Sequence, residues 1–286
     1  MTGQICSAIW PPSGGHFFGR TWSMDPQIVY EIQARLKELE TRERITIPLA
    51  IESGSRAWGF PSADSDYDCR FVYVRTVEKT VTLFPVRDVI EEPLTPVFDI
   101  NGWDLAKALR LMYAGNAVIV EWLKSVFAYQ LHEPFRDAAL DLADVVCDRR
   151  LICKHYYHLA KAQIHRQNFF QGDVSLKKTL YCLRPLAALM WLSHHPERAV
   201  APMNFQDLRQ NAGFPDVVSR EIDILLERKA LSSEMGSERL NPVLSGFILD
   251  TFDGFQSFAN AGEPCAVHQG RIDDFWRHWS AELSPR

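Results

Sequence analysis

The sequence predicts an α+β protein, in which a small α/β head is followed by a mainly helical body. Short β-branched segments, which predict strands, lie before about residue 105. Later segments carry apolar residues at helical spacing. Strands grouped ahead of helices favour α+β, because a doubly wound sheet would alternate the two. We therefore expect a Pro/Gly-rich N-terminal arm at 1–24, a head at 25–105 and a helical domain at 106–286.

Composition restricts the class of protein. The 286 residues are 47% hydrophobic, which is ample for a packed core, and the net charge of −5 means that a nucleic-acid partner would need a local basic patch. The six cysteines include no CxxC pair, which argues against a zinc site or a disulfide framework and predicts a reducing, cytoplasmic location. No apolar run has the length of a membrane span, and the N-terminus lacks the pattern of a secretion signal.

The head is predicted to begin with a helix. Asp25 and Pro26 form a strong helix start, because the carboxylate can accept from free N–H groups and proline suits the first helical position. Apolar residues then recur at helical spacing to about Arg42: Val29, Ile32, Leu36 and Leu39. Strands are predicted at 45–53, 67–75 and 95–101, with one or two more within 80–93 and a loop between the first two.

The body is predicted to be mainly helical. A helix should begin near Trp103 and break near Gly115 and Asn116. Further helical stretches follow in sequence: 135–170, 173–195, 216–231 and 246–282.

The stretch GSRAWGFPSADSDYD, residues 54–68, crowds carboxylates at one place in the head. Asp66 and Asp68 are two residues apart at the mouth of a strand, so both project from the same face. Such oxygens suit hard divalent cations, and Gly54 with Ser55 suits close approach of a phosphate. The alternative is solvated turn chemistry. An EF-hand is excluded, because its required glycine and glutamate would fall on Cys69 and Arg75.

The segment GSRAWGFPSADSDYDCRFVYV resembles the signature of the DNA polymerase beta nucleotidyltransferase superfamily, a Gly-Ser followed about ten residues later by Asp-x-Asp. Together with DINGWDLAKALRLMYAGNAVIVEWLKS and KKTLYCLRPLAALMWL, it resembles the bacterial predicted nucleotidyltransferases of the RNA-repair-pathway polymerase-beta group, from about Ile28 to Lys229. The resemblance implies a nucleotidyltransferase head with a mixed sheet, Mg²⁺ or Mn²⁺ as cofactor, and an NTP as substrate. It also implies that Asp66 and Asp68 are catalytic metal ligands.

The resemblance implies a third metal aspartate on a neighbouring strand. Asp99, framed by apolar residues in a predicted strand, is the preferred candidate, and it would also help the acceptor hydroxyl lose its proton. The alternative for Asp99 is a simple pairing with a basic group such as Arg70. Asp104 is the second candidate ligand, although it could instead cap the following helix.

Other residues are candidates for binding the nucleotide. Gly54 and Ser55 would contact the triphosphate, and Arg56 would reach phosphate or pair with a nearby acid. The stretch 149–186 holds eight Lys or Arg and one acid, so it predicts a basic wall for nucleotide or RNA. Its best candidates are Lys177, Lys178, Tyr181 and Arg184. Glu121 is an acid among apolar residues, and it is expected to recognise a nucleotide base or to pair with Arg70.

The reaction implied is transfer of a nucleoside monophosphate from an NTP to an acceptor hydroxyl, with positioning and charge neutralisation supplying most of the rate. An RNA 3′ end is the first choice of acceptor, a protein hydroxyl (AMPylation) the second and a small hydroxylated molecule the third. The rival is a non-catalytic nucleotide sensor or RNA-binding module on the same fold. Base preference and oligomeric state stay open at this point.

Overall fold

The computed structural model describes residues 6–7, 15–17, 20–22, 24–62, 64–84, 86–167, 169, 172–231 and 236–285, the first three ranges as backbone alone. The predicted arm at 1–24 therefore lies largely outside the described residues. The head and the helical body both lie within them.

The strands of the described residues form one large sheet and two small ribbons. The strands are, in chain order, β1 (Cys6–Ser7), β2 (Gly15–Phe17), β3 (Arg20–Trp22), β4 (Ile45–Glu52), β5 (Tyr67–Arg75), β6 (Val89–Glu91), β7 (Phe98–Asp104), β8 (Ala128–Leu131), β9 (Val174–Ser175) and β10 (Ser237–Glu238). The large sheet has the order β1-β8-β4-β5-β7-β6. Only the β5–β7 pair in it is parallel, so the sheet is mixed, as predicted.

Helices make up most of the rest. They are α1 (Pro26–Glu43), α2 (Gly54–Ala57), α3 (Val77–Thr80), α4 (Leu105–Tyr113), α5 (Ala117–Lys124), α6 (Glu133–Val146), α7 (Arg149–Gln167), α8 (Leu176–His194), α9 (Phe205–Asn211), α10 (Asp216–Leu231), α11 (Pro242–Gly254) and α12 (Gln269–Glu282). Two 3₁₀ segments lie between the last two helices, at Gln256–Asn260 and Ala266–His268. The predicted α+β class, with an early sheet and a helical C-terminal part, is confirmed.

The first helix begins where the sequence predicted. The Asp25 carboxylate accepts a hydrogen bond from the backbone N–H of Gln27 at 2.8 Å, and Pro26 occupies the first helical position. The apolar stripe of Ile32, Leu36 and Leu39 is buried completely against the sheet. Local capping and periodicity therefore decide both the start and the orientation of α1.

The large sheet contains a strand, β8, that the sequence analysis did not predict. Residues 128–131 lie in the predicted helical domain, between the helices predicted there, and they pair antiparallel with β4 through Leu49 and Leu131. Four residues are too few to show a periodicity, so the extended conformation depends on the unpaired edge that β4 offers. The predicted division at 105/106 stays a prediction, although the sheet of the head takes this strand from beyond it.

Both faces of the sheet are covered. On one face α1 packs over Ile47, Phe71 and Tyr73. On the other face Leu49 and Val72 join the core of the helical body. This second face of the sheet therefore shares one apolar core with the body, and the face under α1 has a core of its own. No helix within the described ranges is long and apolar enough to cross a membrane.

Candidate active site

The corner between β4 and β5 brings backbone and carboxylate into close contact. The predicted loop begins with the short helix α2, which follows directly after Ser53, whose N–H donates to Asp68 O at 2.8 Å. Gly54 has φ +61°, and a Cβ there would lie 1.8 Å from Asp68 Oδ2. Only glycine therefore fits, because any side chain would occupy the place of the Asp68 carboxylate.

Serines brace the loop that follows α2. The Ser55 hydroxyl donates to Ser65 Oγ at 3.2 Å, and Ser65 Oγ lies 2.9 Å from both the N–H and the hydroxyl of Ser62. All three serines are buried. The sequence analysis expected Ser55 to contact a triphosphate; in this structure its hydroxyl holds the loop in shape.

Arg56 also holds the loop, with partners that the sequence analysis did not expect. Its guanidinium donates to Ser65 O at 2.5 Å and to Asp66 O at 3.2 Å. It lies 3.9 Å from the centre of the Tyr67 ring, a cation–π distance. Arg56 is buried, so in this structure it positions the backbone that carries Asp66.

The three predicted metal aspartates lie at one end of two parallel strands. Asp66 is exposed just before β5, Asp68 lies on β5, and Asp99 is the register partner of Asp68 on β7. One Arg70 nitrogen, Nη2, lies 3.0 Å from Asp68 Oδ1 and 2.7 Å from Asp99 Oδ2. The alternative pairing of Asp99 with Arg70 is therefore present in this structure.

Crowding changes the acidity of Asp68. Burial raises the pKa of its carboxyl to about 6, and the carboxylates of Asp66 and Asp99 act in the same direction. Arg70 opposes them without overcoming the burial. Burial and the neighbouring carboxylates thus disfavour the ionised form of Asp68, and a bound cation would favour it.

A second acid, the buried Glu52, contacts the backbone of Asp68. Its carboxylate accepts from the Tyr129 hydroxyl and, at 3.3 Å, from the backbone N–H of Asp68. Burial raises the pKa of Glu52 to about 8. The sequence analysis missed this residue; an acid at the end of an otherwise apolar strand was the available signal.

The donors only partly fit the implied metal. Asp66 and Asp68 supply the oxygens that Mg²⁺ or Mn²⁺ prefers. No set of three or more His, Cys, Asp or Glu side chains comes together as a metal-binding group in the part of the chain that is described. Asp99 could join such a group only when Arg70 releases it. The other candidate, Asp104, lies at the far end of β7, where it caps α4 and pairs with Arg75 at 2.6 Å.

Three of the four body residues predicted to bind nucleotide lie on the first turns of α8. Tyr181 packs edge-on against Trp58, which follows α2, with ring centres 5.5 Å apart. Burial raises the pKa of Tyr181 to about 12, with the charges of Asp68 and Asp66 contributing, so the ring lies near the aspartates. Lys177 is half-buried and Lys178 is exposed.

Arg184 is placed differently from the others. Its guanidinium is buried, lies 2.8 Å from Glu121 Oε1 and donates to Met203 O. Tyr156 donates to the same Glu121 oxygen at 2.6 Å. Glu121 was expected to read a base or to brace Arg70, and this is corrected: its partner in the structure is Arg184 on α8.

Comparison with known proteins assigns the chain to a family. The profile of the RNA repair pathway DNA polymerase beta (RlaP) family matches residues 28–278. The chain belongs to this family. Membership of this polymerase-beta-like nucleotidyltransferase family suggests nucleotidyl transfer, and the superfamily generally uses divalent metals.

Two proteins similar to this chain are a curated relative and a solved structure. YcgL of Bacillus subtilis (strain 168), an uncharacterized protein, is 38% identical over 216 residues, covering 74% of this chain and 81% of that protein. The crystal structure of a nucleotidyltransferase-like protein from Exiguobacterium sibiricum 255-15 aligns over 90% of this chain and 88% of that chain, with 11% identity and a TM-score of 0.29.

Proposed function

We propose that this RlaP-family protein is a metal-dependent nucleotidyltransferase whose acceptor is an RNA 3′ end. The observation that carries the proposal is the contact of Gly54 with Asp68, with Asp66 two residues earlier and Asp99 in register on the next strand. Carboxylates at the same end of two neighbouring strands are the groups that would hold a divalent ion for in-line transfer of a phosphoryl group.

The proposed reaction is a single displacement. The acceptor oxygen forms a bond to the α-phosphorus of the NTP, the bond from that phosphorus to the β-bridging oxygen breaks, and pyrophosphate leaves. Asp66 and Asp68 would hold the divalent ion, and Asp99 would take the hydroxyl proton once Arg70 releases it. A bound ion would neutralise charge that develops on the phosphate oxygens.

Two observations support RNA as the acceptor. The family is named for an RNA repair pathway. Exposed basic side chains also lie on α7 and α8, at Lys161, Arg166 and Lys178. Such cations suit a phosphate backbone, whose binding is dominated by charge.

The test uses purified protein with Mg²⁺ or Mn²⁺, each α-³²P-labelled NTP in turn, and short RNA, short DNA or no acceptor. We expect label on RNA and none in the presence of EDTA. Asp66→Asn and Asp68→Asn should each abolish transfer. Asp64→Asn is the matched control, because Asp64 is an exposed acid of the same loop that is not among the proposed metal ligands.

Other outcomes would contradict the proposal in distinct ways. Label on the protein alone would make the acceptor a protein hydroxyl, as in AMPylation. Metal-dependent NTP binding without transfer to RNA, DNA or protein would favour a nucleotide sensor. Full transfer by both Asp→Asn variants would remove the metal mechanism.

A further inference from the structure

Lys229 is a buried cation without a hydrogen-bond partner. It lies in the last turns of α10, and its side chain is 1% exposed. Its Nζ atom has no hydrogen-bond partner in the described part of the chain. A buried ammonium without a partner is unfavourable, because folding removes its hydrogen bonds to water and replaces them with none from the protein.

Other buried cations of the described body do not share this state. Arg184 pairs with Glu121 at 2.8 Å, and Arg209 pairs with Asp223 at 2.7 Å. The fold is therefore able to supply carboxylates to buried cations, and at Lys229 it supplies aromatic rings instead. The amine of Lys229 therefore has no counter-charge in contact with it among the described residues.

The surroundings of the amine belong to both sides of the candidate active site. Its Nζ lies 4.5 Å from the centre of the Phe60 ring, which follows α2 in the head, and 5.5 Å from that of Tyr181 on α8. Ring faces stabilise a cation only modestly, and less than an ion pair does. The two rings hold the amine in place without neutralising it.

Electrostatics connect the amine to the aspartate cluster. Burial, and after it the charge of Lys177, lowers the pKa of Lys229 to about 7. Three carboxylates of the loop act in the opposite direction: Asp64, Asp66 and Asp68. The amine is thus within electrostatic range of the proposed metal ligands, although it forms no hydrogen bond to them.

We propose that Lys229 binds a non-reacting phosphate of the incoming nucleotide, the β- or γ-phosphate of the triphosphate. This rests on the proposed function, which puts the reacting α-phosphate at Asp66 and Asp68. The phosphates beyond it extend away from those carboxylates, and the flexible four-carbon stem of lysine lets its amine reach a phosphate oxygen beside the rings.

The test measures binding without turnover. Wild type and Lys229→Met are titrated by calorimetry with inorganic tripolyphosphate and with AMP, in the presence of Mn²⁺. Tripolyphosphate is used because it does not depend on which base the site accepts. We expect the Kd of tripolyphosphate to rise at least tenfold in Lys229→Met and the Kd of AMP to stay within twofold of the wild-type value. Lys37→Met, which removes an exposed lysine from α1, is the matched control and should bind both as the wild type does.

The outcomes separate this inference from the proposed function. Equal tripolyphosphate affinity in wild type and Lys229→Met would overturn the role of Lys229, while RNA labelling by the wild type would leave the proposed function standing. Wild type that binds neither tripolyphosphate nor any NTP would overturn both. Methionine removes the buried charge at similar volume, so the variant should melt no lower than the wild type, and a loss of binding would not reflect unfolding.

Discussion

Replacing Gly54 by alanine tests the geometry of the candidate site directly. The new Cβ would lie 1.8 Å from Asp68 Oδ2 and 2.6 Å from its Cγ, whereas ordinary van der Waals contact begins near 3.4 Å. The carboxylate would therefore have to withdraw by about 1.6 Å. Alanine would also have to adopt φ +61°, which costs L-residues about 1 kcal/mol.

The expected effect on transfer follows from that displacement. A misplacement of about 1 Å at a reacting centre can cost roughly 10²-fold in rate. Because the Asp68 carboxylate must move farther than this, we expect Gly54→Ala to lose at least about 100-fold of nucleotide transfer, or roughly 2.7 kcal/mol of barrier lowering. The cost in stability should exceed about 1 kcal/mol, because the unfavourable φ is added to the displacement of the Asp68 carboxylate.

The assay compares the initial rate of α-³²P-NMP transfer and the urea midpoint of each variant. The matched control is Gly246→Ala in α11, where an added Cβ meets no atom within 4 Å. That variant should keep the wild-type rate and gain about 0.5–1 kcal/mol, as expected for a helical glycine. A Gly54→Ala enzyme that transfers nucleotide within threefold of the wild-type rate would refute the reasoning, because Asp68 would then not need its observed position.

Three further predictions concern buried charges. The pKa of Lys229 falls from 10.5 to about 7 on folding, so the unfolded state binds more protons between those values and stability should rise with pH across that window. Lys229→Met should accordingly be more stable than the wild type by an amount on the order of 5 kcal/mol at pH 6, shrinking toward zero by pH 10, as measured by urea unfolding. The pKa of Glu52 moves the other way, from 4.5 to about 8, so the folded state binds more protons and the wild type should lose stability as pH rises through that range. The free energy of unfolding of Glu52→Gln, relative to that of the wild type, should therefore rise between pH 5 and pH 8 in EDTA. A difference that does not change with pH would contradict the raised pKa of Glu52. Glu121→Gln should destabilise the protein by about 3 kcal/mol or more, because it leaves Arg184 buried without its carboxylate, and adding Arg184→Met should recover most of the loss in thermal melts.

Features that depend on short-range chemistry could be read from the sequence. The helix start at Asp25 and Pro26, the strand at 67–75 and the helix break near Gly115 all appear in the structure where they were predicted. Capping, alternation and glycine φ preference act over a few residues, so the local sequence contains the cause.

The sites that sequence reading missed or misassigned depend on distant partners. Residues 128–131 are a strand only because β4 leaves an edge for them. Arg184 was expected at the nucleotide, yet Glu121 holds it in the core. Lys229 occupies an apolar position of α10 that periodicity alone would assign to a hydrophobic residue.

The sequence by itself therefore determined the α+β order, the family and the carboxylates of the Asp-x-Asp corner. The tertiary structure decided which charges are neutralised. Arg70 joins Asp68 to Asp99 across two strands, whereas Lys229 meets only the rings of Phe60 and Tyr181. The free energy of a charge depends on its burial and its nearest partners, and both are set by packing between segments far apart in the chain.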